Sequence, residues 1–338
     1  MTLDRVTGEG SGHADGTRDR GPGRPGRWSR ARIIWNANAG SKGGLSTNSC
    51  TEEELRELLE RHGLGADVHA TDSAADARAL AAEAVREGYD LVVAAGGDGT
   101  IGLVAGELLG SRTALGILPL GSVMNVARSI GLPREREAAA EVLESGEVRA
   151  IDVGLARHRP FYEVGSVGLN AAMFREAQRV DRGDWLSILR TFWVAIRYRP
   201  ARMEIRLDDR VVRTRALMVT VANGPYTGMG MTVAPEARLD DGRFDIVVFR
   251  RFSKLRLVRH LAGVAFGRYR PAPEIETYRS RTVRITSAHP LPCRADSRDL
   301  GMTPVEFTVR AGSLRVVLPR GAEDAAVASS SASRAVGS

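Results

Sequence analysis

The stretch YDLVVAAGGDGTIGLVAGELLG, Tyr89 to Gly110, decides how this chain is read. Its apolar run LVVAA has the composition of a strand buried in a parallel sheet. The run ends in Gly96-Gly97-Asp98-Gly99-Thr100, and a second apolar segment of helical length follows. Parallel α/β sheets bind ligands at the carboxyl ends of strands, where loops lead into helix N-termini. Glycines there let backbone N–H groups approach phosphate oxygens, and the helix dipole favours an anion. The loop carries no lysine. An isolated Asp98 would repel phosphate unless it holds Mg2+ or accepts the proton of an attacking hydroxyl. Taken alone, the loop fits a phosphate site and a tight turn.

On either side, strands and helices alternate. ARIIWNANAG is a strand running into a Gly/Asn turn, and TEEELRELLERHG opens with Thr51 and Glu54 at capping-box spacing. ADVHAT, then the alanine-rich DSAADARALAAEAVREG, then RTALGILPLG and SVMNVARSIG continue the alternation, which predicts a doubly wound parallel sheet. Near Ile151 the pattern turns to short strands. ARMEIRLDDRVVRTRALMVTVANG reads as a hairpin turning at Asp208-Asp209, and TPVEFTVRAGSLRVVLP as a further hairpin. The fold class is therefore α/β: an N-terminal doubly wound domain over 29–150, completed by 305–320 if the last strands return to it. A β-rich, sandwich-like domain with helical insertions follows over 151–304. Residues 1–28 and 321–338 are polar, poor in large apolar side chains and expected to be disordered.

The chain has 338 residues, 43% hydrophobic and 26% charged, with a net charge of +7. No apolar run approaches the ~20 residues that span a bilayer. The N-terminus lacks the apolar centre of a secretory signal, and Cys50 and Cys293 are too few for a disulfide framework, so a cytoplasmic protein is expected. The positive charge suits an acidic partner, but it is carried almost wholly by arginine, as codon bias alone could produce. WLSILRTFWVAIRY and KLRLVRHLAGVAFGRY fit interfacial helices on an anionic membrane, and equally plain core-packing helices with solvated basic faces. No histidine has metal-ligand spacing, and Ser166 lacks a nucleophile elbow.

In order, IIWNANAG (Ile33–Gly40), Thr71, GGDGT, GILPLGSVMNVARSIGLP (Gly116–Pro133) and VANGPYTGMGMTVAPEARLDDGRFDIVVF (Val221–Phe249) resemble the diacylglycerol kinase catalytic-domain family of lipid kinases, which includes sphingosine and ceramide kinases. The resemblance implies a two-domain fold with ATP in the cleft, Mg2+ dependence, and γ-phosphoryl transfer to a hydroxyl of a lipid or lipid-like alcohol. By carry-over, Asn36, Thr71, Gly96, Gly97, Gly99, Thr100, Gly121 and Ser122 would contact nucleotide, and Asp98 would organise the metal and serve the chemistry. Few reactive side chains are needed, because phosphoryl transfer rests on positioning and charge neutralisation. Nucleic acid is not an expected partner; a peripheral anionic membrane is one candidate, and a homodimer is compatible with a family whose oligomers vary.

The chain departs from the pattern twice. Met124 stands where the family usually has Asn, with Asn125 one residue later, and Arg298 stands where a Glu proposed as general base is common. Arginine cannot act as a base at neutral pH. Three readings stay open: Asp98 as base; Asp296 or Asp299 as substitute; or a nucleotide-binding regulator that transfers phosphate poorly. Arg298 could also pair with a phosphate. A kinase of a non-lipid alcohol remains an alternative. NAD kinase shares the glycine loop, but its Asn-Glu segment is missing. A Rossmann oxidoreductase lacks its G-x-G-x-x-G after the first strand.

Overall fold

The computed structural model describes residues 27–39, 48–180, 197–228, 230–250 and 273–321, and of 177–180 the backbone alone. The segments WLSILRTFWVAIRY, but for its last two residues, and KLRLVRHLAGVAFGRY lie outside these residues, as do nearly all of the two tails. Trp28, at the end of the expected tail, is described: its Nε1 donates to Leu143 O at 2.8 Å.

The N-terminal half runs β1 (Ala31–Trp35), α1 (Glu52–Arg61), β2 (Asp67–Ala70), α2 (Ala74–Arg86), β3 (Leu91–Gly96), α3 (Asp98–Leu108), β4 (Ala114–Pro119), α4 (Asn125–Ser129) and α5 (Arg136–Ser145). Strands β2-β1-β3-β4 pair in parallel. Every residue of β3 and β4 is buried, as strands covered on both faces require. The capping box at α1 is formed, with Glu54 N donating to Thr51 Oγ1 and Thr51 N to Glu54 Oε2, both at 3.2 Å.

Then follow β5 (Glu147–Ala156), β6 (Arg159–Phe161), β7 (Val164–Gly168), α6 (Leu169–Val180), β8 (Ala201–Arg206), β9 (Val211–Ala216), β10 (Met218–Ala222), β11 (Tyr226–Thr227) and β12 (Met231–Thr232). The chain ends through β13 (Phe244–Phe249), β14 (Ile275–Ser280), β15 (Thr282–Ser287), β16 (Pro292–Ala295), β17 (Arg298–Met302) and β18 (Val305–Leu318). An antiparallel sheet of order β14-β13-β10-β7-β16-β17 packs on β15-β8-β9, which belong to the same hydrogen-bonded sheet as β1–β4. The hairpin at Asp208-Asp209 is present, pairing β8 with β9.

The last segment is one strand, not a hairpin. Both halves of β18 lie antiparallel to β5, from Phe307 opposite Ala156 to Leu318 opposite Glu147, with a bulge between Arg310 and Leu314. A hairpin would have folded the halves on each other. Here Gly312 N donates to Asp152 Oδ1 on β5 at 2.8 Å, while Asp152 Oδ2 accepts Gly242 N at 2.6 Å. Val316 also pairs in parallel with Leu115 of β4. The change of pattern at Ile151 thus falls inside β5, because β5 and β18 run on through both halves.

The sandwich interior centres on three fully buried phenylalanines. Phe161 stacks on Phe244 at 5.6 Å between centroids and meets Phe307 edge-on at 5.9 Å. Gly154 and Gly165 leave room for these rings: a Cβ would lie 2.3 Å from Phe161 and 2.4 Å from Phe307 ring atoms. Truncating such a ring loses its transfer energy and leaves a cavity. Phe307→Ala should therefore lower unfolding stability by about 3–5 kcal/mol, read as a shift in urea midpoint without change in slope.

Candidate active site

The carboxyl ends of β1, β3 and β4 form the rim of the first sheet. β3 runs through Gly96 and Gly97 into α3, and β4 runs through Leu120 and Gly121 towards α4. A Cβ on Gly121 would come within 2.7 Å of Gly97 Cα, and one on Gly96 within 2.6 Å of Thr100 Oγ1. Gly97 and Gly121 thus meet backbone to backbone, while the Thr100 side chain packs against Gly96 and the Met124 sulfur lies 2.9 Å from the same Gly121 position. Asn36 N donates to Ala95 O at 3.0 Å, and Asn36 Nδ2 to Thr100 Oγ1 at 3.2 Å, tying β1 to this loop. Ser122 lies beside Gly121, its carbonyl accepting Arg134 Nη2 at 2.6 Å. Gly99 is exposed in the first turn of α3. Thr71 is buried at the end of β2, its hydroxyl donating to Trp35 O at 3.3 Å.

Asp98 begins α3 but caps another helix. Its Oδ2 accepts Asn125 N and its Oδ1 accepts Val126 N, each at 3.2 Å, at the start of α4. Met124, the preceding residue, is left-handed at φ 57°. Burial raises the Asp98 pKa, and the amides of Val126, Asn125 and Met124 oppose that rise.

Asn125 then reaches across to the second sheet. Its Nδ2 donates to Glu163 Oε2 at 2.8 Å and to Gly228 O at 2.9 Å, while its Oδ1 is buried with no donor. Glu163 precedes β7 and is held from behind by Asp296. That carboxylate accepts Tyr162 N at 2.8 Å, Glu163 N at 3.0 Å and Val164 N at 3.1 Å. Asp296 has φ 48°, and burial raises its pKa against the pull of the three amides. Tyr162 bridges back to α3, its hydroxyl donating to Gly102 O at 3.3 Å.

Arg294, on β16, is 6% exposed; its Nη2 donates to Thr227 Oγ1 at 3.1 Å and its guanidinium lies 4.4 Å from the Phe174 ring centroid. Arg298 donates to Pro160 O at 3.4 Å, and Asp299 pairs with Arg175 at 2.6 Å on the exposed side of β17. The structure brings Asn36, the glycine loop, Thr100, Gly121, Ser122 and Asp98 together, and sets Asp296 behind Glu163. Asp299 is turned away. Sequence reasoning missed Glu163 and gave Asn125 no role. The available signal was a lone carboxylate inside the apolar FYEVGSVG, since Glu is rarely buried unless held by partners.

This geometry sets a glycine-lined rim of a parallel sheet opposite a carboxylate-bearing antiparallel sheet. Residues 30–156 match the diacylglycerol kinase catalytic domain, and residues 164–318 match the YegS C-terminal NAD kinase beta sandwich-like domain. The diacylglycerol kinase of Bacillus subtilis (strain 168) is 27% identical over 300 residues, 86% of this chain and 97% of the relative. A YegS-like lipid kinase of Chromohalobacter salexigens is 29% identical over 290 residues, 82% of this chain and 92% of that protein. A crystal structure of a diacylglycerol kinase from Bacillus anthracis superposes with TM-score 0.66 at 19% identity, over 88% of this chain and 99% of the other. The chain belongs to the diacylglycerol kinase catalytic-domain family and is a lipid kinase.

Burial and the neighbouring charges of Asp296 and Asp98 push the Glu163 carboxyl up to about 8, opposed by Asn125 and Arg294. A folded-state value above the ordinary carboxylate range means the folded chain keeps a proton that the unfolded chain has lost. This contribution is complete below about pH 4, the unfolded value, and is lost as pH rises towards 8. Without nucleotide, stability should fall across that window at up to about 1.4 kcal/mol per unit. Glu163→Gln should remove the slope, so its advantage over the wild type in thermal melts should grow from pH 5 to pH 8.

Proposed function

We propose that this kinase is ATP- and Mg2+-dependent and moves the γ-phosphoryl group to a hydroxyl of a lipid or lipid-like alcohol of the diacylglycerol or sphingoid type. The observation that carries the reading is the glycine cradle of Gly96, Gly97 and Gly121 at the carboxyl ends of β3 and β4, with a carboxylate at its edge facing a second sheet. Backbone N–H groups in such a cradle suit the phosphates, with Gly99, Thr100, Ser122, Asn36 and Thr71 on the nucleotide side.

Mg2+ takes hard oxygen ligands and is bound by one or two carboxylates together with substrate phosphates. The donor set at the loop fits that pattern, with Asp98 as the protein ligand; among the described residues no cluster of three His, Cys, Asp or Glu side chains could hold a metal unaided. When bound, the ion would neutralise phosphate charge where no lysine stands. Asp296 acts as a positioning residue in this reading, because both its oxygens hold the backbone that presents Glu163. Asn125 couples α4 to that carboxylate, so closure of the two halves on substrate would be felt at Asp98.

Peripheral docking on an anionic bilayer belongs to the same reading. Arg202, Arg206, Arg213, Arg215 and Arg284 line the exposed face of β8, β9 and β15, where Glu204 pairs with two of them. Among the described residues no helix is long and apolar enough to cross a membrane.

Label from γ-labelled ATP should pass to an alcohol in a lipid extract, and chelation by EDTA should stop it; no labelled product and no ATP binding would end this reading. Asp98→Asn should lower transfer by about 100-fold or more while costing only about 1 kcal/mol of stability, the scale of a weakened helix cap. Turnover near the wild-type level in that variant would remove Asp98 from the chemistry.

A further inference from the structure

Phosphoryl transfer to an alcohol releases a proton, and a carboxylate can take it only through an oxygen that is not already committed. Asp98 has each oxygen engaged by an amide of α4, and the capacity its oxygens keep is already assigned to the metal in the reading above. Asp296 is the acceptor for three amides and lies behind the backbone it holds. Arg298 is a donor only, and its guanidinium is turned to Pro160 O.

Glu163 differs from all three. One of its oxygens accepts Asn125 Nδ2, and among the described residues the other has no hydrogen-bond partner. Beside it, Asn125 Oδ1 is buried and also lacks a donor. Two acceptors without a donor therefore adjoin at one place, between the end of the glycine loop and the second sheet. A buried acceptor such as Asn125 Oδ1 is costly unless a donor completes it, and an alcohol O–H is such a donor; Glu163 beside it is only half-buried.

We propose that Glu163 is the catalytic residue that receives the proton of the acceptor hydroxyl, with Asn125 Oδ1 helping to orient that hydroxyl. This inference rests on the kinase reading above. As the hydroxyl oxygen bonds to the γ-phosphorus, the bond from that phosphorus to the β–γ bridging oxygen breaks. The nucleoside diphosphate leaves with the electron pair, and the hydroxyl proton passes to the free oxygen of Glu163, which later returns it to solvent. The groups that face this carboxylate are Asp98 and Asp296, which raise its proton affinity, and Arg294 and the Asn125 amide, which lower it. The balance makes the carboxylate more basic than usual, so the ionised form that takes the proton grows as pH rises towards 8. Asp296 fixes the approach through the Glu163 amide, and the Asn125 amide fixes it through Oε2.

The test compares Glu163→Gln, Glu163→Asp and Glu163→Asn with the wild type. Phosphoryl transfer from γ-labelled ATP is measured to a short-chain diacylglycerol and to a sphingoid base in mixed micelles. ATP dissociation constants and thermal midpoints are taken on the same samples. The Gln and Asn variants should lose about 100- to 10,000-fold in kcat, the range of a general base, with ATP affinity within about threefold of the wild type. Glu163→Asp should outpace Glu163→Asn by at least about tenfold. Asp and Asn have the same shape, so a folding defect strikes both, and the gap between them reports the carboxylate. Equal rates for the Asp and Asn variants, or a Gln variant within about threefold of the wild type, would overturn the assignment while leaving the kinase reading intact. Wild-type protein that transfers to neither alcohol would overturn the kinase reading itself, and this inference with it.

Discussion

One buried carboxylate organises the site. Asp296 gathers the amides of Tyr162, Glu163 and Val164. A charge so far from water persists only where hydrogen bonds replace its hydration. The consequence is mechanical. With the three amides fixed, Tyr162 must reach back to α3 and Glu163 must face α4. The glycine-loop helices and the second sheet are thus linked through the Tyr162 and Glu163 side chains, whose backbone Asp296 holds.

The three carboxylates of the cleft share a chemistry but not an environment. Asp98 caps α4, Asp296 holds backbone, and Glu163 keeps an oxygen free. Burial first, and then the charges of Asp296 and Asp98, raise the proton affinity of Glu163, and Arg294 offsets part of that field from β16. Phosphate chemistry in such a place needs added positive charge, which Asp98 could draw in as a metal ion and which arginine supplies nearby. The absence of lysine from the glycine loop then ceases to be anomalous.

The long pair β5–β18 is the other structural constraint. By running antiparallel through both halves, it joins the parallel sheet to the sandwich without a hinge of irregular chain. Asp152 meets the cost of the bulge by accepting Gly312 N, and Gly242 N from the turn before β13. Ala311-Gly312-Ser313 has the chemistry of a turn, and a reading confined to nearby residues makes it one. Only the partner strand, about 160 positions earlier in the chain, reveals a bulge.

What the sequence determined by itself was local. Buried β3, the glycines after it, the capping box at Thr51 and the hairpin at Asp208-Asp209 follow from periodicity, turn chemistry and space for backbone, all expressed within about ten residues. The glycine loop at the end of β3 was legible for that reason, as was the oddity of Arg298. Tertiary structure alone decided the division of labour among the carboxylates. Glu163 meets Asn125 from 38 positions away and Asp296 from 133. Nothing in FYEVGSVG or RADSRD says which acid will spend its oxygens on backbone and which will keep one free. Proton affinity and availability are properties of surroundings, and surroundings exist only after the chain has folded.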